Sequence, residues 1–472
     1  IRSALGESGD IIGRTALPLD KEASSNFDAL SAYASGVQMV EAGQLIAAMH
    51  SFEAATTADP RFVQAYLQLA WLYRSQHAGA AAAGSATQAQ KASQEAGTRT
   101  QGLVEASYAI NAGDDLPRAV NALQTMVATN PGDSEAAAQL AGTLLEEGKF
   151  SDALDASQAI LKTNPYNLEA SRIAETALLA QDHPETAAQI ETTLQRSGRS
   201  HPGLRVWSNY LGAREDSQLA GDLGGQLGRL GLQQDEAAAL DAAGLLESGL
   251  RIWRTVAAQA SANPELMSAA AETLSSAALD RALAADCTTA KELLTDAAAY
   301  PQTAQALFAS GMTGALCGDL DAASRTADLL QQTYPHSFAV ESFYRPDLTA
   351  TIAWKHGDLQ GALGALDGAK AYDLVSLTAY LRGLVHLEAK QAQDAIADFD
   401  IVLSHRGAAT LTNPMLYPMA QLGEARGYAD AGDSGASKAA YGKLVKLWGT
   451  ADVNLASMRE ARAHAAVPAG HP

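Results

Sequence analysis

One spacing recurs along the sequence and constrains its fold more than any other feature. Counting from Gly43, an alanine (Ala48) lies at +5, an aromatic residue (Phe52) at +9 and a proline (Pro60) at +17. The same offsets recur after Gly148, at Ala153, Ser157 and Pro165, where only the aromatic residue is lost. Glycine ends a helix in a left-handed turn, a small residue lets two helices approach closely, and proline ends the second helix. The spacing therefore predicts one antiparallel helical hairpin per repeat.

Composition favours stacked helices over sheets. The chain has 472 residues, and no Gly/Ser-rich or Pro-rich linker divides it. Hydrophobic residues make up 47% of the chain, but much of this is alanine and only 6% is aromatic, so burial is spread over many small contacts. We therefore predict an all-α solenoid superhelix built from about twelve antiparallel helical hairpins.

The residue at the turn of each hairpin varies along the chain. Glycine followed by aspartate marks three turns, at Gly318, Gly357 and Gly432. Lys390 replaces the turn glycine in one hairpin, and the run Asp182-His183-Pro184 replaces it in another. The third hairpin has Gly113, with one extra residue in its turn. These changes leave the hairpin spacing intact.

The quality of the pattern divides the chain into five segments. A leading segment, residues 1–25, has no sustained periodicity. The segments that follow are N-terminal hairpins (26–200), two degenerate hairpins with crowded glycines (201–262), C-terminal hairpins (263–450), and a capping helix with a polar tail (451–472).

A repeat of about 34 residues with these offsets resembles the tetratricopeptide repeat (TPR), over nearly the whole chain. Runs in the C-terminal third also resemble the TPR tails of bacterial receptor-like serine/threonine kinases, and similar tails occur on winged-helix transcription regulators. These runs are YLRGLVHL (380–387), IVLSHRG (401–407), GEARGYADAGD (423–433) and AAYGKLVKLWGTAD (439–452). The resemblance implies a regulatory or interaction module, whose catalytic or DNA-binding half would lie upstream of Ile1.

The residues that catalysis requires do not occur in the right patterns. A kinase catalytic loop needs His-Arg-Asp, whereas this chain has His405-Arg406-Gly407. The glycines at 221–231 lack the strand and the acidic residue of a dinucleotide site. The histidines form no His-Glu-x-x-His run. We therefore predict no enzymatic activity, no cofactor and no metal, and interpret the acidic pairs Glu146-Glu147 and Asp398/Asp400 as solvated faces.

Charge and hydropathy narrow the range of partners. The net charge is −20, and no cluster of Lys and Arg provides the surface that a phosphate backbone needs, so we predict no binding of nucleic acid. No run of 18 apolar residues occurs, so we predict no membrane span in this chain.

Two cysteines, Cys287 and Cys317, lie at the turns of consecutive repeats. Successive turns fall along one edge of a helical stack, so a disulfide between them is geometrically allowed, and it would suggest an oxidising compartment. Two reduced, half-buried thiols are the alternative, and the sequence alone favours them over the disulfide. In the family that the chain resembles, such tails often follow a membrane segment and face outward. An extracytoplasmic location, periplasmic or extracellular, is therefore favoured over a cytoplasmic one.

The predicted fold points to recognition of other proteins. Stacked hairpins form a superhelix with a concave groove that the first helices line. We therefore expect a non-catalytic scaffold or sensory module that binds proteins or peptides. The predicted groove residues are Gln64, Leu67, Trp71 and Arg74 in the second hairpin, and Tyr380, Leu384, Leu387 and Glu388 in the penultimate one. An exposed Trp or Tyr beside polar groups is a common interface anchor, although Trp71 and Tyr380 would alternatively fill gaps between superhelical turns.

Self-assembly is the second hypothesis for function. An open solenoid has two unlike ends, and head-to-tail contact between copies generates rings or filaments. An enzyme ranks lowest, because each catalytic pattern above fails.

Overall fold

The computed structural model describes residues 23–212, 217–452 and 454–465. Within these ranges the chain forms twenty-six α-helices and no β-strand. Most of the leading segment (1–22) and the end of the polar tail (466–472) lie outside the described residues. Each described helix is too short or too polar to cross a lipid bilayer.

The first half of the array contains helices α1 to α14. They are α1 (Phe27–Glu41), α2 (Leu45–Ala58), α3 (Val63–Ser75), α4 (Gly79–Ala92), α5 (Thr98–Tyr108), α6 (Leu116–Thr129), α7 (Ser134–Glu146), α8 (Phe150–Thr163), α9 (Leu168–Ala180), α10 (Pro184–Gln195), α11 (Pro202–Gly212), α12 (Ser217–Arg229), α13 (Gln233–Ala242) and α14 (Leu246–Ser261).

The second half contains helices α15 to α26. They are α15 (Met267–Leu283), α16 (Cys287–Ala297), α17 (Ala304–Leu316), α18 (Leu320–Thr333), α19 (Arg345–Lys355), α20 (Leu359–Gly368), α21 (Thr378–Glu388), α22 (Ala392–Ser404), α23 (Arg406–Thr412), α24 (Leu416–Asp430), α25 (Ser434–Leu447) and α26 (Ala456–Ala465).

Twelve hairpins account for twenty-four of these helices. Consecutive helices pair from α1–α2 through to α21–α22, the short helix α23 follows, and α24–α25 is the last pair before α26. The predicted all-α, TPR-like solenoid of about twelve hairpins is therefore confirmed. Two hairpins also fill the degenerate segment, and α26 lies where the capping helix was predicted.

Left-handed residues form the turns. In eleven of the twelve hairpins, one residue between the two helices has φ between 48° and 88°, and the remaining turn, between α11 and α12, includes undescribed residues. This conformation reverses the chain after a helix and is easiest for glycine. The residues are Gly43, His77, Asp114, Gly148, Asp182, Gly244, Ala285, Gly318, Gly357, Lys390 and Gly432.

The third turn differs from the prediction by one position. Asp114, and not Gly113, has the left-handed backbone, with φ of 48°. The extra residue is accommodated by a π-helical segment, Ala109–Gly113, which continues α5. Asp115 then caps α6, because its side chain accepts a hydrogen bond from the Arg118 amide at 3.1 Å.

Glycine and phenylalanine interlock within two hairpins. Phe52 and Phe399 are both fully buried, and each lies sixteen residues after a glycine, Gly36 or Gly383. A Cβ atom on either glycine would lie 2.7 Å from the phenylalanine ring. The glycine therefore provides the space into which the ring packs, which explains why the motif joins a small residue to an aromatic one.

The chain divides into two compact units. Residues up to Thr143 and the segment Asn263–Ala269 form unit 1, whereas Leu144–Ala262 and the residues from Ala270 onward form unit 2. In unit 1, Tyr33 packs against Phe52 and Phe62, with ring centroids 5.3 and 4.9 Å away. The large core of unit 2 extends from Leu246 to Ala461.

Unit 2 closes on itself through contacts between residues far apart in sequence. The Gly407 amide, in α23, donates a hydrogen bond of 2.8 Å to Oδ1 of Asp182, in the turn before α10. The indole Nε1 of Trp448 donates to the Ala242 carbonyl at 2.8 Å. Later hairpins of unit 2 thus pack against earlier ones as well as against their sequence neighbours.

A disulfide joins Cys287, the first residue of α16, to Cys317, the residue that ends α17. The two Cα atoms are 5.5 Å apart, and the cysteines are separated by 30 residues. The bond links two consecutive hairpins of unit 2.

Gly407 is the residue on which closure of unit 2 depends most sharply. A Cβ atom there would lie 1.7 Å from the Leu179 carbonyl oxygen, which is backbone and has little freedom to move. We expect Gly407→Ala to lower the free energy of unfolding by about 3 kcal/mol or more, measured by urea denaturation. Gly442→Ala is the matched control, because Gly442 lies inside α25 with no atom near its Cβ position. It should stabilise the chain by up to about 1 kcal/mol, and equal effects would contradict the packing described.

The disulfide gives a second expectation. Closing a loop of 30 residues restricts the unfolded chain, so reduction should lower the free energy of unfolding by about 3 to 4 kcal/mol. Thermal unfolding with and without a reductant measures this difference. The double variant Cys287→Ser, Cys317→Ser should unfold like the reduced protein and should not respond to reductant. An unchanged melting temperature after verified reduction would contradict the expectation.

Candidate functional site

The most exposed tryptophan of the chain lies on α3 in unit 1. Trp71 is 41% exposed, although its neighbours Ala70 and Leu72 are fully buried. Three of the other four tryptophans are at most 9% exposed, and Trp354 is half-buried. Trp71 therefore offers a large aromatic surface on a helix whose opposite face is anchored in the core.

The other residues predicted beside Trp71 differ in accessibility. Gln64 and Arg74 are half-buried, and the guanidinium of Arg74 donates from Nη1 to the Ile110 carbonyl at 3.4 Å. Leu67 is only 8% exposed and belongs to the core, so the prediction that it offers binding surface is wrong. Gln64, Trp71 and Arg74 remain on one helical face, because they are spaced by seven and three residues.

The positions predicted on α21 in unit 2 are less accessible. Tyr380 is 5% exposed, and its ring packs 6.0 Å from that of Phe399. Burial raises the pKa of Tyr380 to about 12. Leu384 and Leu387 are half-buried against the core, and only Glu388 is exposed. Tyr380 is therefore a core residue, and the prediction that it lines an accessible groove is wrong.

One register position explains both errors. Leu67 lies three residues before Ala70, and Tyr380 lies three residues before Gly383. Ala70 and Gly383 are the small residues at the helix crossings, so one turn earlier the helix still faces the core. The residue directly after each small residue is more exposed than Leu67 or Tyr380. Trp71 is exposed, and Leu384 is half-buried.

A buried ion network joins α21 to α22. Arg382 Nε donates to Asp398 at 2.7 Å, and the rest of its guanidinium forms two hydrogen bonds to Asp373. Nδ1 of His386 lies 2.7 Å from the other oxygen of Asp398. Asp398 is 6% exposed, so the interpretation of the Asp398/Asp400 pair as a solvated face is wrong for Asp398.

The other acidic pair needs the same correction. Glu147 is 5% exposed, and one of its carboxylate oxygens lies 2.7 Å from Nζ of Lys149. Only Glu146 of that pair faces solvent. In both pairs a nearby cation allows one carboxylate to be buried, and this cation could not be assigned from the pair itself.

Two buried glutamates meet a histidine where α9, α10 and α11 come together. His201 Nδ1 lies 3.2 Å from Glu175 and 3.9 Å from Glu191. The His201 amide and the Gln195 side chain each donate to one oxygen of Glu191, both at 2.9 Å. Burial raises the pKa of Glu175, and His201 opposes that rise. Two carboxylates and an imidazole are also ligands that zinc accepts, but internal hydrogen bonds already account for this arrangement.

Asp347 is a fully buried carboxylic acid at the start of α19. Oδ1 accepts a hydrogen bond of 2.7 Å from the Thr378 hydroxyl, whereas Oδ2 has no hydrogen-bond partner among the described residues. Burial raises the pKa of Asp347 to about 7, with Asp373 adding to the rise and Arg382 opposing it. The group therefore changes charge near neutral pH.

Comparison with known proteins finds similar solved structures but no matching protein family. No protein-family model matches the chain, and no curated protein sequence matches it. Among solved structures, it is similar to the APC/C hetero-tetramer Cut9–Hcn1, with 15% identity and a TM-score of 0.43 over 92% of this chain and 76% of that one. For yeast Tom70 the identity is 14% and the TM-score 0.33, over 93% and 95% of the two chains. For Naa15/Naa10 bound to HypK-THB the values are 14% and 0.24, over 92% and 77%. At these values the likenesses carry no argument about function.

The buried carboxyl of Asp347 predicts a pH effect on stability. Because its pKa is raised from 3.8 to about 7 in the folded chain, its contribution to stability is fully present below about pH 4 and is lost as pH rises through 7. In the variant Asp347→Asn the side chain stays neutral at every pH and can still accept a hydrogen bond from the Thr378 hydroxyl. Relative to wild type, the variant should gain up to about 4 kcal/mol at pH 8 and little at pH 4. Urea denaturation at both pH values tests this, and an equal difference at each would contradict it.

Proposed function

We propose that the chain is a non-catalytic TPR-like scaffold that binds a segment of another protein in a groove lined by first helices of its hairpins, with Trp71 as anchor. The exposure of Trp71 is the observation that carries this proposal. A rigid aromatic side chain provides much contact area for little loss of conformational entropy, which is why tryptophan is enriched among residues that dominate binding energy. Gln64 and Arg74, on the same face of α3, supply polar groups beside it.

The charge of the protein favours a basic partner segment. With a net charge of −20, the chain attracts positively charged segments over long distances and repels acidic ones. The face of an exposed indole ring also attracts the guanidinium of arginine or the ammonium of lysine. The proposed occupant is therefore a short segment that carries lysine or arginine, and its binding weakens as salt screens the charges.

Location and regulatory role belong to the same proposal. The disulfide between Cys287 and Cys317 supports an extracytoplasmic location, because such bonds persist in oxidising compartments. The resemblance to the TPR tails of receptor-like kinases and transcription regulators supports a sensory role, in which binding at the repeats is transmitted to an adjoining domain.

Self-association is a second candidate. Phe27, the first residue of α1, is 79% exposed, and Ile46 of the same hairpin is 43% exposed. An apolar surface at the end of a repeat array favours contact with another copy. Light scattering over a range of protein concentrations distinguishes this candidate, since head-to-tail assembly requires a mass that grows with concentration.

The anchor role of Trp71 is tested with peptides selected from a random display library on the full chain. Selected peptides should be rich in lysine and arginine, and Trp71→Ala should weaken their binding by about 30-fold, the effect of a residue contributing about 2 kcal/mol. The control is Leu329→Ala, which removes a similarly exposed apolar side chain from α18 and should leave binding unchanged. Circular dichroism should show equal helix content in all three proteins. Equal binding to Trp71→Ala and wild type would reject the anchor.

A further inference from the structure

A cavity of about 170 Å³ lies inside unit 2, remote in sequence from Trp71. We name it the Asp280 pocket. Buried residues of its lining include Trp253, Leu279, Asp280, Phe308, Leu377 and Asn413. Gln305 is exposed, and Tyr344, Thr412 and Pro414 are among the half-buried residues of the lining.

Among the described residues that line the pocket, Asp280 is the charged one. Its Oδ1 accepts a hydrogen bond of 2.7 Å from Nδ2 of Asn413. The lining residues that the structure describes include no Lys, Arg or His, so no cationic side chain among them would attract an anion. The lining therefore discriminates by charge, in favour of a cation.

A second buried carboxyl, that of Asp241, lies near Asp280. Asp241 is fully buried and interacts electrostatically with Asp280, and it accepts a hydrogen bond from the Trp253 indole Nε1 at 2.7 Å. The nearest cation is Arg281, whose Nη2 lies 3.7 Å from Asp241 and also donates to the Leu246 carbonyl. One guanidinium thus faces two carboxyls. If both carboxyls ionise, a second positive charge is needed to balance them.

Aromatic rings complete the wall of the pocket. Phe308 and Tyr344 stack with centroids 4.3 Å apart and an interplanar angle of 13°, and Trp253 lines the same cavity. Aromatic faces attract organic cations, most strongly where water is excluded. Together with a buried carboxyl, they form the combination that recognises an ammonium group carrying an apolar substituent.

We propose that the Asp280 pocket binds a small organic ammonium ion, with the ammonium group on Asp280 and its apolar part against Trp253, Phe308 and Tyr344. Cavities of about 150 Å³ in proteins hold one benzene molecule, so the ligand has about six to ten non-hydrogen atoms. This function is independent of peptide binding at Trp71.

Binding of the ammonium ion releases a proton. Burial and the neighbouring Asp241 raise the pKa of Asp280 well above its ordinary range. The carboxyl O–H bond breaks when the ligand binds, the proton passes to solvent, and an ammonium N–H donates to the carboxylate. The charged groups that face this pair are Arg281, which favours ionisation, and Asp452, which acts on Asp241 and opposes it. Affinity for the ammonium ion therefore increases with pH.

Calorimetry of the full chain tests the proposal, with benzylammonium and cyclohexylammonium as probes and benzyl alcohol as the uncharged match to benzylammonium. We expect benzylammonium to bind at least about 30-fold more tightly than benzyl alcohol, the effect of losing one partner of a buried charge pair. Titrations in two buffers of different ionisation enthalpy should show proton release on binding of the amine only.

Two variants locate the site. Asp280→Asn keeps the shape of the side chain but cannot ionise, and it should reduce benzylammonium affinity to that of benzyl alcohol. Asp347→Asn is the matched control, because Asp347 is equally buried but does not line the pocket. It should bind as wild type does. Ala238→Leu places a larger apolar side chain in the cavity from α13, and it should abolish binding of both compounds.

Three results would overturn the proposal. The first is the absence of binding by every ammonium probe at millimolar concentration. The second is equal affinity for benzylammonium and benzyl alcohol. The third is unchanged benzylammonium affinity in folded Asp280→Asn or Ala238→Leu. If Asp280→Asn fails to fold, the comparison of amine with alcohol on wild type and Ala238→Leu decides the question.

Discussion

A left-handed backbone at the turn is the constraint on which every described hairpin depends. It reverses the chain in few residues, so that two helices are set side by side before any long-range contact forms. Glycine adopts this conformation without strain, but His77, Asp114, Asp182, Ala285 and Lys390 also adopt it. For a residue with a Cβ atom the cost is about 1 to 2 kcal/mol, which packing of the paired helices offsets. Packing of the paired helices therefore determines the conformation of the turn as much as the type of residue at the turn does.

The local features of the fold can be predicted from the sequence. The spacing of glycine, alanine, phenylalanine and proline predicts helices, turns and the number of hairpins, because each depends on residues less than about 34 positions apart. It was misleading where exposure depends on neighbouring helices. Leu67 and Tyr380 lie at positions that face a partner helix, and Asp398 is buried because the Arg382 guanidinium pairs with it and His386 lies within hydrogen-bond distance.

The candidate sites were harder to predict than the fold. Trp71 was identified because it is an aromatic residue at an outward position of a regular repeat. The Asp280 pocket could not be, because Asn413 reaches Asp280 across 133 residues and no local motif joins them. The same holds for the cluster of Glu175, Glu191 and His201, which come from three different helical segments. The candidate sites in this chain are formed by contacts between repeats, whereas the periodic pattern predicts only contacts within a repeat.

Closure of unit 2 also bears on how such a chain can change in evolution. An open repeat array gains or loses whole hairpins easily, because each repeat contacts only its immediate neighbours. Here the Gly407 amide meets Asp182 across 225 residues, and Trp448 meets Ala242 across 206. Duplication or deletion of one hairpin between these partners would move both pairs out of register at once. The contacts that give unit 2 an interior therefore also restrict changes in its number of repeats.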